Sequence, residues 1–322
     1  MQKIYIIKPD TAPYSLCVDS FANGFRHAGY YVEKSFSSEL DNEYVKNFKP
    51  HIVMCFNFNE LKEGFLQELH SVCPNCKFIF NFLTKIDEKR CSENLKLLNQ
   101  FNAEKYIFTA DKANLPLIDK VVYLPNGINY KIYKTIFTGY KSNITIMSNP
   151  DNINVLKTII DLIIKFGKLD FYADEIDYMN SLENELWKEY SDYHIKELYK
   201  QAYCGEASDS KTRANIFSSS LINIVPTTQT ADGIDFRILE IAASAGFVIC
   251  EENNEIIRRF DVGREIETYK GLYDLIDKVD FYIKNPDIAR AIATNARSAA
   301  VNNHSIKSRI LKIEEIINKK HK

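Results

Sequence analysis

Short continuous apolar runs alternate with stretches of helical period from the first residues onward. Short runs rich in β-branched and aromatic residues predict strands, and stretches with apolar residues every three or four positions predict helices. The predicted strands of the first part are KIYII, YYVEKSF, HIVMCF, KFIFNFL, KYIFTA and VVYLP, with helices such as SLCVDSFANGFRHAG and NELKEGFLQELHSV between them. Strands that are apolar on both faces and alternate with helices indicate a parallel sheet that is covered on both sides.

A second series of alternating elements follows an irregular segment. No clear period runs through LPNGINYKIYKTIFTGYKSN, which Pro125 and Gly127 interrupt. The alternation then resumes with the strand NITIMS, a helix near 154–166, the strand LDFYAD, a helix near 178–190 and the strand LINIVP. This order predicts an α/β protein with two doubly wound domains that meet near residue 135.

The last part of the chain is predicted to be helical, over GLYDLIDKVDFYIKN, PDIARAIATNARSAAV and IKSRILKIEEIINKK. Pro286 suits the first turn of the second helix, with Asn285 as its candidate cap. The third helix has an apolar face of isoleucines at spacings of three and four, namely Ile306, Ile310, Ile313 and Ile317. We interpret it as a packing helix with a solvated basic end, and contact with a membrane surface is the alternative.

Length, composition and charge narrow the class of protein. A chain of 322 residues is long enough for two domains, and 45% hydrophobic with 26% charged residues is typical of globular proteins. A net charge of -2 gives no basic face, so no nucleic-acid partner is expected. The seven scattered cysteines do not resemble a secreted disulfide framework. Charges interrupt MQKIYIIKPD, and no uncharged apolar run reaches about 18 residues. We therefore expect a cytoplasmic protein, with peripheral contact at the inner face of the membrane as the alternative.

Common motifs of cofactor and metal chemistry are absent from the sequence. It has no glycine-rich dinucleotide fingerprint, P-loop, G-x-S-x-G or H-E-x-x-H, and no D-x-D of the kind that metal-dependent sugar transferases use. The pair CPNC at 73–76 has no second pair within reach for a zinc site, so two ordinary thiols are the simpler interpretation. We expect no bound metal and no cofactor.

The most informative stretch is TADGIDFRILEIAASAGFVICEE, residues 230–252. Asp235 is a suitable N-cap for a helix from about Phe236 to Ala245, with Gly246 as its left-handed stop. The strands LINIVP and FVICE on either side make a βαβ unit, so the loop 227–236 is expected at the carboxyl edge of the sheet. Ligands of open α/β sheets bind at that edge, and a helix N-terminus there attracts phosphate.

Two charged side chains on this helix suit a nucleotide. Arg237 in the first turn offers a planar guanidinium for phosphate, and Glu240, on the same face, could accept hydrogen bonds from ribose hydroxyls. The alternative is an exposed ion pair between Arg237 and Glu240, worth about 0.3–0.5 kcal/mol. Both interpretations place Arg237 on the surface of the helix.

The C-terminal third of the sequence resembles a family of enzymes. Asp232 and Glu240 stand eight positions apart and precede small residues, Gly246 and a strand. This resembles the E-x7-E region of retaining glycosyltransferases of the GT-B fold, with Asp in the first place. The surrounding sequence is similar to group-1 (family 4-like) glycosyltransferases, and closest to their CgeB-like, spore-maturation-type branch. The matching positions are Arg237, Glu240, Ala243 and Gly246, then Phe260, Gly263, Glu265 and Tyr269, then His304, Ser305 and Arg309, with Pro125, Asn126 and Gly127 resembling the pre-linker signature.

This resemblance implies a GT-B architecture. An N-terminal Rossmann-like acceptor domain would cover residues 1–134, and a C-terminal donor domain would cover residues 135–304 across a cleft. The final helix, 305–322, would cross back to the N-terminal domain. The implied reaction moves a hexosyl unit, with retention and without a metal, from a nucleotide-diphosphate sugar such as a UDP-sugar or GDP-sugar. The acceptor would be a glycan, a lipid-linked molecule or a protein.

The resemblance also implies roles for individual residues. Arg237 would stabilise the departing diphosphate, Glu240 would hold the ribose, and Asp232 would contact the donor sugar as a catalytic residue. Gly233 and Asp235 would complete the donor-binding loop. The segment SNPDNINVLK lacks the Arg and Lys that many relatives place there, and the candidate substitutes are Lys211 and Arg213. No counterpart of the N-terminal catalytic histidine is found, and Asp87 is the best-placed carboxylate, with a helix cap as its alternative role.

Two other functions stay open at this level. A non-hydrolysing sugar-nucleotide epimerase also uses paired Rossmann-like domains. A sugar-nucleotide or glycan-binding module could keep the same scaffold without catalysis.

Overall fold

The computed structural model of the chain describes residues 1–9, 15–56, 64–83, 86, 96, 98–134, 137–190, 193–226 and 233–319. These residues form two compact units. The first contains the described residues of Met1–Asn129, Asp232–Ile234 and His304–Lys322, and the second contains those of Tyr130–Ala231 and Asp235–Asn303.

The first unit is built on a six-stranded sheet in the order β2-β1-β3-β4-β5-β6, with every pair of neighbours parallel. Its strands are β1 (Lys3–Lys8), β2 (Tyr31–Phe36), β3 (Ile52–Phe56), β4 (Lys77–Phe82), β5 (Lys105–Thr109) and β6 (Val121–Tyr123). Helices α1 (Ser15–His27), α2 (Asn42–Phe48) and α3 (Phe65–Val72) lie between strands in the sequence. All five residues of β3 are buried, as expected for a strand covered on both faces.

The second unit contains a five-stranded parallel sheet in the order β11-β10-β9-β7-β8. Its strands are β7 (Ser142–Met147), β8 (Asp170–Tyr172), β9 (Ser220–Val225), β10 (Val248–Glu251) and β11 (Glu267–Tyr269). Its helices are α4 (Ile153–Phe166), α5 (Glu175–Leu182), α6 (Tyr193–Ala202), α7 (Ser210–Ser218), α8 (Phe236–Ala243), α9 (Asn254–Arg259), α10 (Gly271–Lys284) and α11 (Pro286–Asn302). The predicted α/β class with two doubly wound sheets is confirmed.

Three local predictions in the second unit need correction. The single helix expected near 178–190 is wrong, because Asn184 accepts a hydrogen bond from Leu186 N at 2.9 Å and starts a separate 3-10 turn at Glu185–Lys188. Pro286 does occupy the first turn of α11, but the Asn285 side chain donates to Phe281 O at 2.8 Å instead of capping the helix.

The third correction concerns Gly246. Helix α8 ends at Ala243, and the left-handed residue after it is Ala245, with φ of 56°. A Cβ at position 246 would lie 2.7 Å from Phe217 O and 2.9 Å from Ile241 Cγ2. Close packing between α8 and the end of α7 therefore requires this glycine, and a left-handed backbone does not.

The last helix, α12 (Ile306–Ile317), belongs to the first unit. Ile306, Ile310, Ile313 and Ile317 are all buried, as the spacing predicts. A Cβ on Gly24 in α1 would clash with Ile310 Cδ1, so the two helices pack closely. Lys77 Nζ and Tyr106 OH donate to Ile317 O at 2.6 and 3.2 Å, which fixes the C-terminal end of α12 against the sheet.

The start of α12 is held by residues of the two motifs at 125–127 and 304–309. Ile128 N donates to His304 O at 2.8 Å, and Ile306 N donates back to Ile128 O at 2.9 Å. Arg309 Nε donates to Pro125 O at 2.7 Å, and its Nη2 donates to Asn126 O at 3.2 Å. A Cβ on Gly127 would lie 2.7 Å from Arg309 Cγ. These motif residues therefore form a docking joint for the last helix.

We expect Arg309→Ala to loosen this joint. The substitution removes the donor from two carbonyl oxygens in a region where Arg309 is only 7% exposed. An unsatisfied buried polar group costs about 1–3 kcal/mol. Amide hydrogen exchange in α12 should become faster by the corresponding factor, whereas Lys312→Ala on the exposed side of the same helix should leave it unchanged. Equal protection in the two variants would contradict the assignment.

Candidate functional site

Helix α8 begins at the carboxyl edge of the second sheet. It follows β9 and precedes β10, which pair in parallel. The chain passes from β7 to β8 on one side and reaches β9 on the other, so the strand order reverses between β7 and β9. Ligands of doubly wound sheets bind outside the strand ends at such a reversal. Asp235 accepts a hydrogen bond from Arg237 N at 2.9 Å, which confirms the predicted N-cap at this position.

Arg237 joins the start of α8 to the end of β7. Its Nε and Nη2 donate to the two carboxylate oxygens of Asp235 at 2.9 and 2.5 Å, and its Nη1 donates to Met147 O at 2.9 Å. The Arg237 and Asp235 side chains are 15% and 19% exposed. The expectation of a surface arginine was therefore wrong, because the guanidinium turns inward to the cap and to the strand end.

The Asp235–Arg237 pair keeps both groups charged. Burial acts to raise the pKa of Asp235, but the charge and hydrogen bonds of Arg237 outweigh it and hold the pKa below its ordinary value. Burial acts to lower the pKa of Arg237, and Asp235 reverses this effect so that the pKa is raised. The pair therefore stays ionised through neutral pH.

Glu240 lies beneath this pair and is only 1% exposed. It accepts hydrogen bonds from Tyr133 OH at 2.6 Å and from Arg213 Nε at 3.0 Å, and Arg213 Nη2 pairs with its second oxygen. Burial and the adjacent Glu240 charge raise the pKa of Tyr133, so this phenol remains a donor. The alternative of an exposed Arg237–Glu240 pair is wrong, since each carboxylate in the structure has a different arginine as its partner.

The two pairs form one buried network of four charges. Arg213 on α7 is 19% exposed, and its charge helps to lower the pKa of Asp235. Two guanidinium and two carboxylate groups cancel in formal charge. These four described groups therefore offer a phosphate directed N–H donors of the arginines and no net positive charge.

A buried hydroxyl lies at the same edge. Ser148 follows β7 directly and is 4% exposed. Its backbone N–H donates to Tyr172 O at 3.1 Å, whereas its Oγ accepts or donates no hydrogen bond to any residue that the structure describes. Buried hydroxyls normally have a partner, which makes this oxygen a candidate contact for a ligand.

The other predicted site residues are not seen in this charge network. Lys211 is exposed in the first turn of α7, where Asp209 caps the helix. Gly233 lies in the first unit, and a Cβ there would be 3.6 Å from Ala110 O, an ordinary contact. Asp232 and Asp87 lie outside the described residues.

Several contributors to this site were missed in the sequence. Tyr133 comes from the irregular segment after Pro125, where no periodicity indicates burial. Arg297 on α11 donates to Ala243 O at the C-terminal end of α8, where a cation is favourable. Ser148 lies at the start of SNPDNINVLK, where a single hydroxyl gives no signal of its own.

The two cysteines of the CPNC pair are packed in the interior of the first unit. Cys73 and Cys76 are both buried, and Cys76 Sγ donates to Pro50 O at 2.8 Å. Within the described part of the chain, no group of three or more His, Cys, Asp or Glu side chains could hold a metal ion. None of the helices described is long and apolar enough to cross a membrane.

Part of the chain, including the whole of α8, matches a known protein family. Residues 177–315 match the model of a family described as Glycosyl transferase-like. No curated protein matches the chain by sequence.

Solved structures resemble the chain over its whole length. A glycosyltransferase from Rickettsia africae is 15% identical, with a TM-score of 0.69 and 99% of each chain covered. HepE from Anabaena, solved with UDP and glucose, is 11% identical, with a TM-score of 0.70, covering 99% of this chain and 100% of its own. Sucrose-phosphate synthase from Thermosynechococcus elongatus is 12% identical, with a TM-score of 0.69 and 98% of each chain covered. These likenesses show the GT-B fold, and with the family match they support a GT-B glycosyltransferase.

The charge network predicts the effect of removing one partner. Arg213→Ala would leave the Glu240 carboxylate buried beside Tyr133 alone, and breaking a buried pair in this way costs about 3–5 kcal/mol. The double change Arg213→Met with Glu240→Leu removes both charges and should recover most of that loss. Trp187, the one tryptophan of the chain, lies in the second unit, so urea unfolding followed by its fluorescence reports this unit. Lys211→Ala is the matched control and should unfold like the parent; a double variant no more stable than Arg213→Ala would contradict the assignment.

Asp235→Asn should show a pH-dependent loss of stability. Because the folded pKa of Asp235 is below its ordinary value, its ionised form stabilises the fold above about pH 4, the pKa of an unfolded Asp. That stabilisation disappears as the pH falls through the folded pKa. The difference in free energy of unfolding between parent and variant should therefore be constant from pH 7 to pH 5 and shrink in acid. A difference that stays the same down to pH 3 would show that the Asp235–Arg237 pair is not its source.

Proposed function

We propose that the chain is a glycosyltransferase that moves a sugar from a nucleotide-diphosphate donor to a glycan, lipid-linked or protein acceptor. The donor would bind at the carboxyl edge of the second sheet. The observation that carries this proposal is the position of Arg237, in the first turn of α8 and hydrogen-bonded to the last residue of β7. This places a guanidinium and a helix N-terminus at the strand-order reversal, where a diphosphate is best recognised.

The leaving group determines what this edge must do. Transfer breaks the bond between the sugar and the diphosphate, so negative charge grows on the diphosphate oxygens. The Arg237 guanidinium would stabilise that charge, since Asp235 and Met147 O fix its plane before the reaction. The Ser148 hydroxyl would supply a further donor from the end of β7. We also propose that the transfer needs no metal, because these donors would stabilise the departing diphosphate.

The roles of the carboxylates differ from one another. Asp235 would act as a positioning residue, because it holds the Arg237 fork in place. Glu240 is the proposed ribose ligand, and its engagement by Tyr133 and Arg213 means that a ribose hydroxyl must displace one of them or share its oxygens. Asp232 is proposed to contact the donor sugar and Asp87 to act from the N-terminal domain, with Gly233 in the donor-binding loop.

The finer features of the reaction are proposals that rest on the resemblance. We propose a retaining hexosyltransferase of group 1, closest to the CgeB-like branch, in a cytoplasmic location. Anabaena HepE is bound to UDP and to UDP-glucose in its solved complexes, and this supports a UDP-sugar here, with a GDP-sugar as the other candidate. We assign residues 1–134 with the final helix to the acceptor domain, and residues 135–304 to the donor domain.

Thermal unfolding with a panel of nucleotides tests the donor class. A ligand that binds only the folded state raises the melting temperature by mass action. We expect stabilisation by UDP or GDP and by the matching nucleotide-sugar, and none by the free base or by ribose. Release of nucleotide only with an acceptor supports transfer, whereas a changed sugar without any acceptor identifies an epimerase. Binding without turnover of any donor identifies a binding module.

The variant Arg237→Lys tests the phosphate assignment. It keeps a positive charge beside Asp235 but loses the planar fork. We expect kcat/KM to fall by about 10- to 100-fold, comparable to the loss of one donor to a developing negative charge. The melting temperature without nucleotide should also fall, because Lys cannot keep both the fork to Asp235 and the bond to Met147 O, so stabilisation by UDP is measured against each variant's own melting temperature and should decrease. Lys165→Ala, exposed in the last turn of α4, is the control; a parental rate in Arg237→Lys would move the phosphate site elsewhere.

A further inference from the structure

A cavity of about 550 Å³ opens at the amino-terminal edge of the first sheet. Lys3 and Tyr31, the first residues of β1 and β2, face each other in register, and α2 ends beside them. The residues that line the cavity are Met1, Lys3, Tyr31, Tyr44, Asn47 and Phe48. A doubly wound sheet binds its ligand at the opposite, carboxyl edge, so this cavity has no part in the chemistry proposed above.

The wall of the cavity is aromatic. The rings of Tyr31 and Phe48 stack with centroids 5.6 Å apart, and Tyr5 meets Phe48 edge-on at 5.8 Å. The centroids of the Tyr44 and Tyr5 rings lie 6.4 Å apart. Phe48 and Tyr5 are buried, whereas Tyr31 and Tyr44 are 50% and 48% exposed. Two tyrosine rings are thus presented to solvent on a buried aromatic base.

Polar groups surround these rings. Lys3 Nζ lies 5.2 Å from the centroid of the Phe48 ring and donates to Phe48 O at 2.9 Å. An ammonium group has three donors, so one such bond does not saturate it. The Asn47 amide is exposed at the end of α2, and the tyrosines carry their own hydroxyls. The cavity therefore combines flat apolar faces with donors and acceptors at their edges.

The wall is fixed by the backbone around it. Tyr31 N donates to Gln2 O at 2.9 Å, and His51 N donates to Lys3 O at 2.8 Å. Asp41 accepts hydrogen bonds from the N–H groups of Glu43 and Tyr44 and so caps α2. A preformed site of this kind loses little conformational entropy when it binds a ligand.

The chemistry of the cavity favours a neutral sugar. Its volume lies within the range of about 300–1,000 Å³ that is usual for small-molecule sites. A pyranose ring has apolar C–H faces that can lie on aromatic rings and a rim of hydroxyls that can hydrogen-bond to Lys3 and Asn47.

We propose that this cavity binds a saccharide unit of a glycan acceptor, away from the end of the glycan that receives the new sugar. The inference rests on the proposed glycosyl transfer and makes its acceptor a glycan of several units. Binding at a second site would keep a long acceptor attached to the first unit and raise its effective concentration near the reacting end.

Direct binding of oligosaccharides tests the site separately from catalysis. The probes are maltohexaose, cellohexaose and chitohexaose, titrated against the full chain by calorimetry. We expect at least one to bind, and Tyr31→Ala and Tyr44→Ala each to weaken it by about three- to tenfold, as expected for the loss of one aromatic contact. Tyr31→Phe keeps the ring and should bind almost like the parent. Tyr273→Ala, at a tyrosine that is 86% exposed on α10, is the matched control.

The outcomes separate this site from the proposed function. Lost binding in Tyr31→Ala supports the site even if no transfer is ever detected. Parental binding in both alanine variants overturns the site and leaves the transfer proposal intact, as does failure of all three probes to bind the parent. For an active enzyme, Tyr31→Ala should raise KM for a hexasaccharide acceptor but not for a monosaccharide, with kcat unchanged. Binding of neutral phosphatidylcholine vesicles in place of the oligosaccharides would identify a lipid surface and overturn the proposal.

Discussion

Every neighbouring pair of strands in both sheets is parallel, and this constraint governs the rest of the molecule. A parallel strand needs a crossover to its neighbour, and helical crossovers cover both faces of the sheet. The faces are therefore committed to burial, as the apolar strands β3 and β9 show. Polar chemistry is left to the strand ends. The candidate site of the second unit lies at the carboxyl edge of its sheet. The aromatic cavity of the first unit lies at the amino-terminal edge of its sheet.

Burial of charge at the carboxyl edge is unfavourable in free energy, and the pairing of the charged groups offsets this desolvation. Without a partner, the ionised Asp235 and Glu240 side chains would each destabilise the fold, since desolvation of a lone carboxylate outweighs any local hydrogen bond. Each has a bidentate arginine instead. Such pairs contribute little net stability compared with apolar packing, but they fix orientation. An arginine whose plane is already set can meet a diphosphate without reorganising, which is the condition for stabilising charge during a reaction.

The sequence predicts most of the fold because the elements depend on local patterns. Short β-branched and aromatic runs indicate almost every strand, a period of 3.6 indicates the last helix, and Asp235 is recognisable as a cap because a cap acts on N–H groups two residues away. The site was predicted less well, since its partners are distant in the chain. Tyr133 and Glu240 are 107 positions apart, and Arg213 and Glu240 are 27 apart. No period or spacing indicates which arginine faces which carboxylate. The sequence marks Gly246 as a special position but suggests a left-handed helix stop, because a close approach to Phe217 leaves no signal in the sequence.

The docking of the last helix has a consequence for how the protein is made. The first unit begins at residue 1 but includes residues from His304 onward, so its chain is interrupted by the whole of the second unit. During synthesis, β1 to β6 emerge from the ribosome long before Arg309 can reach the carbonyls of Pro125 and Asn126. The residues of the second unit, which end at Asn303, emerge before those of α12. Domains generally fold as units, and the face of α1 that packs against Ile306 and Ile310 stays uncovered until the C-terminal residues have emerged.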